Sequence, residues 1–192
     1  MDFENKKKVL VIVAHPDDET IWMGGVLLKA KNWNTTIISL CRKEDDDRNP
    51  KFKRVCEFFK AKCFISNLED ENLKPLSLSE ITNRILKFSE KDYDYIFTHG
   101  ANGEYGHIRH KEINQAVNQI LNNNLIKAKK VFYFSYHKTG ESCIYNSNAD
   151  KLIKLDASEL SMKKELVKDW YGYPEGGFEL ESCRETEGFD ER

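Results

Sequence analysis

No apolar run in this sequence is long enough to cross a membrane, and no signal-peptide segment follows the basic Lys6-Lys7-Lys8 stretch. The expectation is a soluble, cytoplasmic protein with no membrane span. Cysteine is sparse: Cys41, Cys56, Cys63, Cys143 and Cys183 are odd in number, scattered, and form no CxxC pair. That usage suits a reducing cytosol with thiols buried as small hydrophobes, and it leaves no cysteine pair to compete for a metal. An excess of either charge is missing too. Lys and Arg number 30 against 32 Asp and Glu, a formal net charge of −2 with no basic stripe. A nucleic-acid partner therefore has little electrostatic support. The chain also lacks linker-like tracts, low-complexity segments and internal repeats.

What is there is a chain of 192 residues, 40% apolar, with three Trp, eight Tyr and eleven Phe. That is enough for one domain burying roughly 70% of its unfolded surface. Its organising stretch is the unbroken run Val9-Leu10-Val11-Ile12-Val13-Ala14, followed at once by His15-Pro16-Asp17-Asp18-Glu19. The run is too short for a bilayer and too continuous for a half-exposed strand. It predicts a central strand of a parallel sheet, covered on both faces. A helix is expected from Thr20 to Lys31. Gly24-Gly25 costs it about 1 kcal/mol per residue, offset by close packing of the helix backbone against the sheet or the site. Further strands are expected at Asn34 to Cys41, Cys63 to Ser66, Asp92 to Thr98 and Lys130 to Tyr136. Helices are expected from Pro50 to Lys62, Leu76 to Glu90 and His107 to Asn124. In the last of these Ile113, Ala116, Val117, Ile120 and Leu121 recur with helical period. Past Gly140 come a strand at Lys151 to Asp156, a charged helix at Ser158 to Trp170, and a turn-rich Tyr171 to Gly177 stretch that covers something. The alternation predicts a single α/β domain over residues 1–192, Rossmann-like, with a mostly parallel sheet and helices on both faces.

Open α/β sheets bind ligands at the carboxyl ends of their strands. The histidine and three carboxyl groups after the first strand fall there. A second loop, after Asp92 to Thr98, reaches the same sheet edge and brings His107 and His110, which share one face of the helix start. His15, Asp18 and His110 have the chemistry of a hydrolytic zinc site, where three His or carboxylate ligands leave a fourth position to water.

Taken together, Ala14-His15-Pro16-Asp17-Asp18-Glu19 and Gly106-His107-x-x-His110 resemble the zinc-dependent N-acetylglucosaminyl de-N-acetylases, the PIG-L/LmbE-like family. The resemblance runs from Lys7 to about Tyr136 and thins beyond. It implies a metal-dependent hydrolase that removes acetyl from an N-acetylglucosamine-type conjugate, with a small-molecule amino sugar as partner and a homo-oligomer allowed for. By position it implies His15, Asp18 and His110 as ligands of Zn2+; Fe2+ suits the same donor set. It implies Asp17 as general base toward a water whose pKa the metal lowers to ~7. His107 or Tyr105 would stabilise the oxyanion, and either protonated Asp17 or a cationic His107 would protonate the leaving amine. Arg54, in Arg54-x-x-Glu57, is similar to the family's substrate-contacting arginine region, and Tyr105 to a tyrosine of the thiol-biosynthesis deacetylases. The competing readings are hydrolysis of another amide in a sugar conjugate, and non-catalytic sugar or nucleotide binding on the same fold.

Two features depart from the family pattern. Arg109 stands where several relatives carry Asp, and pointing inward it would lower the pKa of His107. The loop from Cys41 to Arg48 lacks the glycine-containing segment usual there, which leaves the sugar conjugate open. His99 and His137 end expected strands and so point toward the site, His137 as a substrate contact, although strand-end histidines ordinarily satisfy backbone groups. The Glu44 to Asp47 run reads as a solvated loop, and Cys41, without a basic partner, as inert.

Overall fold

The apolar run forms β1 (Lys8–Val13), an interior strand of a seven-stranded sheet in the computed structural model, which describes residues 1–192. There follow α1 (Asp18–Lys29), β2 (Asn34–Ser39), α2 (Arg48–Phe58), β3 (Lys62–Ile65), α3 (Leu78–Phe88), β4 (Asp92–Thr98) and α4 (Ile108–Asn122). The second half holds β5 (Lys127–Phe134), β6 (Tyr136–Thr139), β7 (Ser142–Tyr145), β8 (Lys151–Lys154), α5 (Ala157–Glu165), α6 (Phe178–Glu181) and β9 (Thr186–Glu191). The sheet order is β3-β2-β1-β4-β5-β9-β8. The first five strands run parallel, β9 pairs antiparallel with β5, and β8 pairs antiparallel with β9. The expected Rossmann-like single domain is the architecture found.

Burial on both sides explains the lack of polar alternation in β1, where Val9 to Val13 are at most 1% exposed. One core, under α1, α2 and the C-terminal segment, gathers Val9, Val11, Trp22, Phe52 and Phe97; the other, under α3 and α4, gathers Leu10, Ile12, Ile81, Ile113 and Val117. No helix is long and apolar enough to cross a membrane.

Three features differ from expectation. The fifth strand stops at Phe134, and Tyr136 instead opens the small hairpin β6–β7. The polar sequence of β9 carries no strand pattern of its own and becomes one by pairing between β5 and β8. The charged helix ends in a wider π turn, Leu166–Trp170.

The Gly24-Gly25 pair is compensated by close packing against the antiparallel edge of the sheet, at Glu187 of β9 and at Leu155, which follows β8. At Met23 the backbone leaves helical geometry (φ −145°). The freed N–H groups of Gly25 and Val26 donate to the two oxygens of Glu187 at 2.7 and 2.8 Å. Lys163 neutralises that carboxylate at 2.6 Å, and both charges are buried. A Cβ on Gly25 would lie 2.5 Å from the Leu155 side chain, so the approach requires glycine.

Candidate active site

Four strand ends build the site. After β1, the turn His15-Pro16-Asp17 leads into α1, with Asp17 forced to φ 125°, a conformation that costs a non-glycine residue on the order of 1–3 kcal/mol. Its surroundings hold it there. Asp17 N–H donates to Glu19 Oε2 at 3.1 Å, His15 N–H to Asp18 Oδ2 at 2.8 Å, and the N–H groups of Thr20 and Ile21 both to the Asp17 carbonyl at 2.8 Å. Glu19 is fully buried and also accepts from the hydroxyls of Thr20 and Tyr171, which ties the turn to the C-terminal segment.

His15 Nδ1, Asp18 Oδ2 and His110 Nε2 form a nearly equilateral triangle. His15 and Asp18 are 3.3 Å apart, His15 and His110 3.3 Å, and His110 and Asp18 3.5 Å. A tetrahedral ion with bonds of about 2.0–2.2 Å to such ligands requires separations of roughly 3.3–3.5 Å. The donor set therefore fits a small divalent metal in type and in spacing. Two other clusters, His15–Cys41–Asp70 and His99–Glu104–His110, come close enough to be considered. Their atoms are otherwise engaged: burial pushes the Cys41 thiol far up, and Asp70 and Glu104 are hydrogen-bond partners of His15 and His110.

Behind the triangle, His15 Nε2 lies 3.1 Å from Asp70 Oδ2, and His110 Nδ1 lies 2.5 Å from Glu104 Oε2. Such carboxylates orient ligating imidazoles and raise their basicity. Burial opposes charge on His15, but Asp18 and Asp70 prevail and raise its pKa to about 10, so the pocket favours a cation. Asp18 is held far below the usual carboxylate range despite its burial, because His110, His99 and His15 surround it.

Asp17 stands beside the triangle. Burial and then the Asp18 charge push its pKa up to about 7, against Arg48, His15 and Tyr173. The guanidinium of Arg48, at the start of α2, pairs with Asp17 Oδ2 at 2.5 Å, and the Tyr173 hydroxyl donates to the same oxygen. His107 caps α4. Its Nδ1 accepts the Arg109 N–H at 3.3 Å, which leaves the proton of the neutral ring on Nε2. Burial and then the neighbouring His110 and His15 lower its pKa to about 4. These groups, with Tyr105 and Arg42, line a cavity of about 310 Å³ over the triangle.

His15, Asp17, Asp18, Tyr105, His107 and His110 are thus brought together from two distant stretches. Arg54 and His137 are not, which corrects their expected substrate contacts. Arg54 points outward from α2, about 1.7 turns past Arg48, and stacks 3.9 Å from the Trp170 ring. His137 is exposed on β6, because the fifth strand ends before it, and it lines a separate cavity with Asn102 and Arg192. Arg109 turns away from His107, buried between Glu69 and Glu112. His99 does satisfy a backbone group, accepting the Ala14 N–H at 2.9 Å.

Arg48, Asp70, Glu104 and Tyr173 lack a sequence signal of their own. The strand-end rule could have pointed to Asp70, which follows β3, and to Glu104, which follows β4.

Residues 10–121, more than half of the chain, match the family model PIG-L, described as GlcNAc-PI de-N-acetylase. An uncharacterized protein of Acanthamoeba polyphaga mimivirus is 28% identical, across 78% of this chain and 75% of its own. Two solved structures share the fold at 16% identity. The N,N'-diacetylchitobiose deacetylase of Pyrococcus horikoshii matches 100% of this chain and 87% of its own at a TM-score of 0.67. A conserved protein of Thermus thermophilus matches 95% and 93% at 0.66.

Proposed function

The chain belongs to the PIG-L family of GlcNAc-PI de-N-acetylases, and from that premise we propose that it is a metal-dependent hydrolase removing the N-acetyl group from an N-acetylglucosamine-type conjugate. The observation that carries the reading is the ligand triangle of His15, Asp18 and His110 with a strained, buried carboxyl group, Asp17, at its side. Zn2+ held there, or Fe2+ on the same donors, supplies Lewis-acid polarisation of the amide carbonyl and a more acidic water.

The chain's own residues do the rest. Asp17 accepts a proton from the water that attacks the carbonyl carbon, a task suited to a carboxyl group whose basicity burial and the Asp18 charge raise. The Nε2–H of His107 and the Tyr105 hydroxyl, which burial keeps protonated, are donors for the oxyanion. When the C–N bond breaks, acetate forms and the amine takes its proton from Asp17. A pKa near 4 leaves His107 neutral at pH 7, which favours Asp17 over a cationic His107 as that source. Five unpaired thiols accord with a cytoplasmic setting.

The test is acetate release from N-acetylglucosaminides by the zinc-loaded protein, compared with longer N-acyl analogues and with chelated protein. Turnover that is lost on chelation and restored by metal supports the proposal. Full turnover after the metal is stripped counts against it, and so does metal uptake without turnover on any N-acetylglucosaminide.

A further inference from the structure

We propose that Glu104 and His99 are positioning residues that fix the tautomer of His110, so that the nitrogen facing His15 and Asp18 is always the bare one. This rests on His110 being a metal ligand. One donor in this cluster has no choice. The Ala14 backbone N–H can only donate, and it lies 2.9 Å from His99 Nε2. In the neutral ring the proton of His99 is therefore on Nδ1, 2.9 Å from Glu104 Oε2. The Gly100 N–H donates to the other oxygen, Oε1, at 2.7 Å.

His110 Nδ1 approaches the same Oε2 that serves His99. An ionised carboxylate is acceptor-only and has room for all three donors. His110 thus keeps its proton on Nδ1 and leaves Nε2 bare toward Asp18 and His15. All three side chains are shut off from bulk solvent, His99 and His110 at 0% exposure and Glu104 at 1%. The two rings stack 3.8 Å apart, so neither can turn independently. Glu104 itself sits at φ 54°, a left-handed conformation kept in a residue with a side chain. The hydrogen bond from Ala14, the residue before His15, also couples the two ligand-bearing loops.

Glutamine cannot replace Glu104 here. It has one oxygen and one NH2, whereas the three donors are divided between both oxygens. Either the NH2 faces the Gly100 N–H, or it faces both imidazoles, where the His99 Nδ1–H opposes it and His110 must move its proton to Nε2 and aim it at the ligand triangle.

Two measurements on the full chain test this. In the chelated wild type, long-range 1H–15N spectra should show His99 and His110 as Nδ1–H tautomers. Competition with a chromophoric chelator should show zinc binding weakened about 10–100-fold in Glu104→Gln, with an Nε2–H signal appearing at His110. An Nε2–H tautomer at His110 in the wild type overturns the proposal without need of a variant that folds. A folded Glu104→Gln with wild-type zinc affinity and unchanged tautomers overturns it too, leaving the ligand assignment standing. A wild type that takes up no zinc overturns both.

Discussion

The hydroxyl of Tyr173 donates to Asp17 Oδ2, the oxygen that also pairs with Arg48, across 156 residues of chain. The turn-rich C-terminal stretch thereby reaches the proposed base itself. A donor to the charged form of a carboxyl group stabilises that form, so Tyr173 and Arg48 offset part of what burial and Asp18 do to Asp17. The base is left poised between two opposing influences.

Tyr173→Phe removes one of those donors. A hydrogen bond to a charged group contributes about 1.5–3 kcal/mol, and a shift of one pKa unit corresponds to ~1.4 kcal/mol. The acid limb of the kcat/KM profile should move to higher pH by about one unit or more. A limb that stays where it was would show that the contact does not bear on the base.

Asp17→Asn should abolish deacetylation while the metal remains bound, because the ligand triangle excludes Asp17. In the wild type the base must be ionised, so activity falls as pH drops through its pKa, which is about 7 with no cation in the triangle. A bound cation lowers that value, which places the acid limb below pH 7. Full activity in the metal-bound variant would remove Asp17 from the mechanism.

Arg48→Ala and Arg54→Ala should behave differently although both lie on α2. Arg48 pairs with Asp17, and its loss should lower kcat/KM by about 10- to 100-fold, the equivalent of a charged hydrogen bond. Arg54 is exposed on Trp170, and its loss should leave kcat/KM within about twofold. Steady-state kinetics on one substrate decides, and equal losses would contradict the placement.

Gly25→Ala improves helix propensity by about 1 kcal/mol but drives a methyl group into Leu155. Overpacking of this kind costs about 1–3 kcal/mol, so the net expectation is a lower Tm. The same substitution in a Leu155→Ala background should cost less. Additive effects in this double-mutant cycle would refute the packing account.

Cys63 should alkylate ahead of the other four cysteines. A hydrogen bond from the Cys56 thiol, aided by Lys53 and opposed by burial, lowers its pKa to about 7, and it is only half-buried. Burial pushes Cys41, Cys56, Cys143 and Cys183 upward. Mass spectrometry after iodoacetamide treatment should find Cys63 modified first, with a rate rising through pH 7 and not near 9.

Much of this was legible from local pattern. The β1 run, the helical period of α4 and the His15 and His107 turns carry their structure in neighbouring residues, and the strand-end rule brings the two turns to one edge. Arg54 and His137 went astray because direction depends on where an element starts and stops. A strand that ends at Phe134 instead of Tyr136 moves His137 to another cavity. Helix α2 presents Arg48 to the site and Arg54 to solvent.

The sequence by itself determined the parallel α/β sheet, the chemistry of the donor set and the two turns that carry it, since hydrophobic period and motif spacing are short-range properties. Tertiary structure alone decided which groups surround that set: Asp70 and Glu104 behind the histidines, Arg48 and Tyr173 on Asp17, Glu187 under the broken helix. Each of these is a polar side chain, and all but Arg48 come from segments with no periodicity that marks them. Their roles follow from burial, because a charge or N–H removed from water must find its partner wherever the fold brings one within reach.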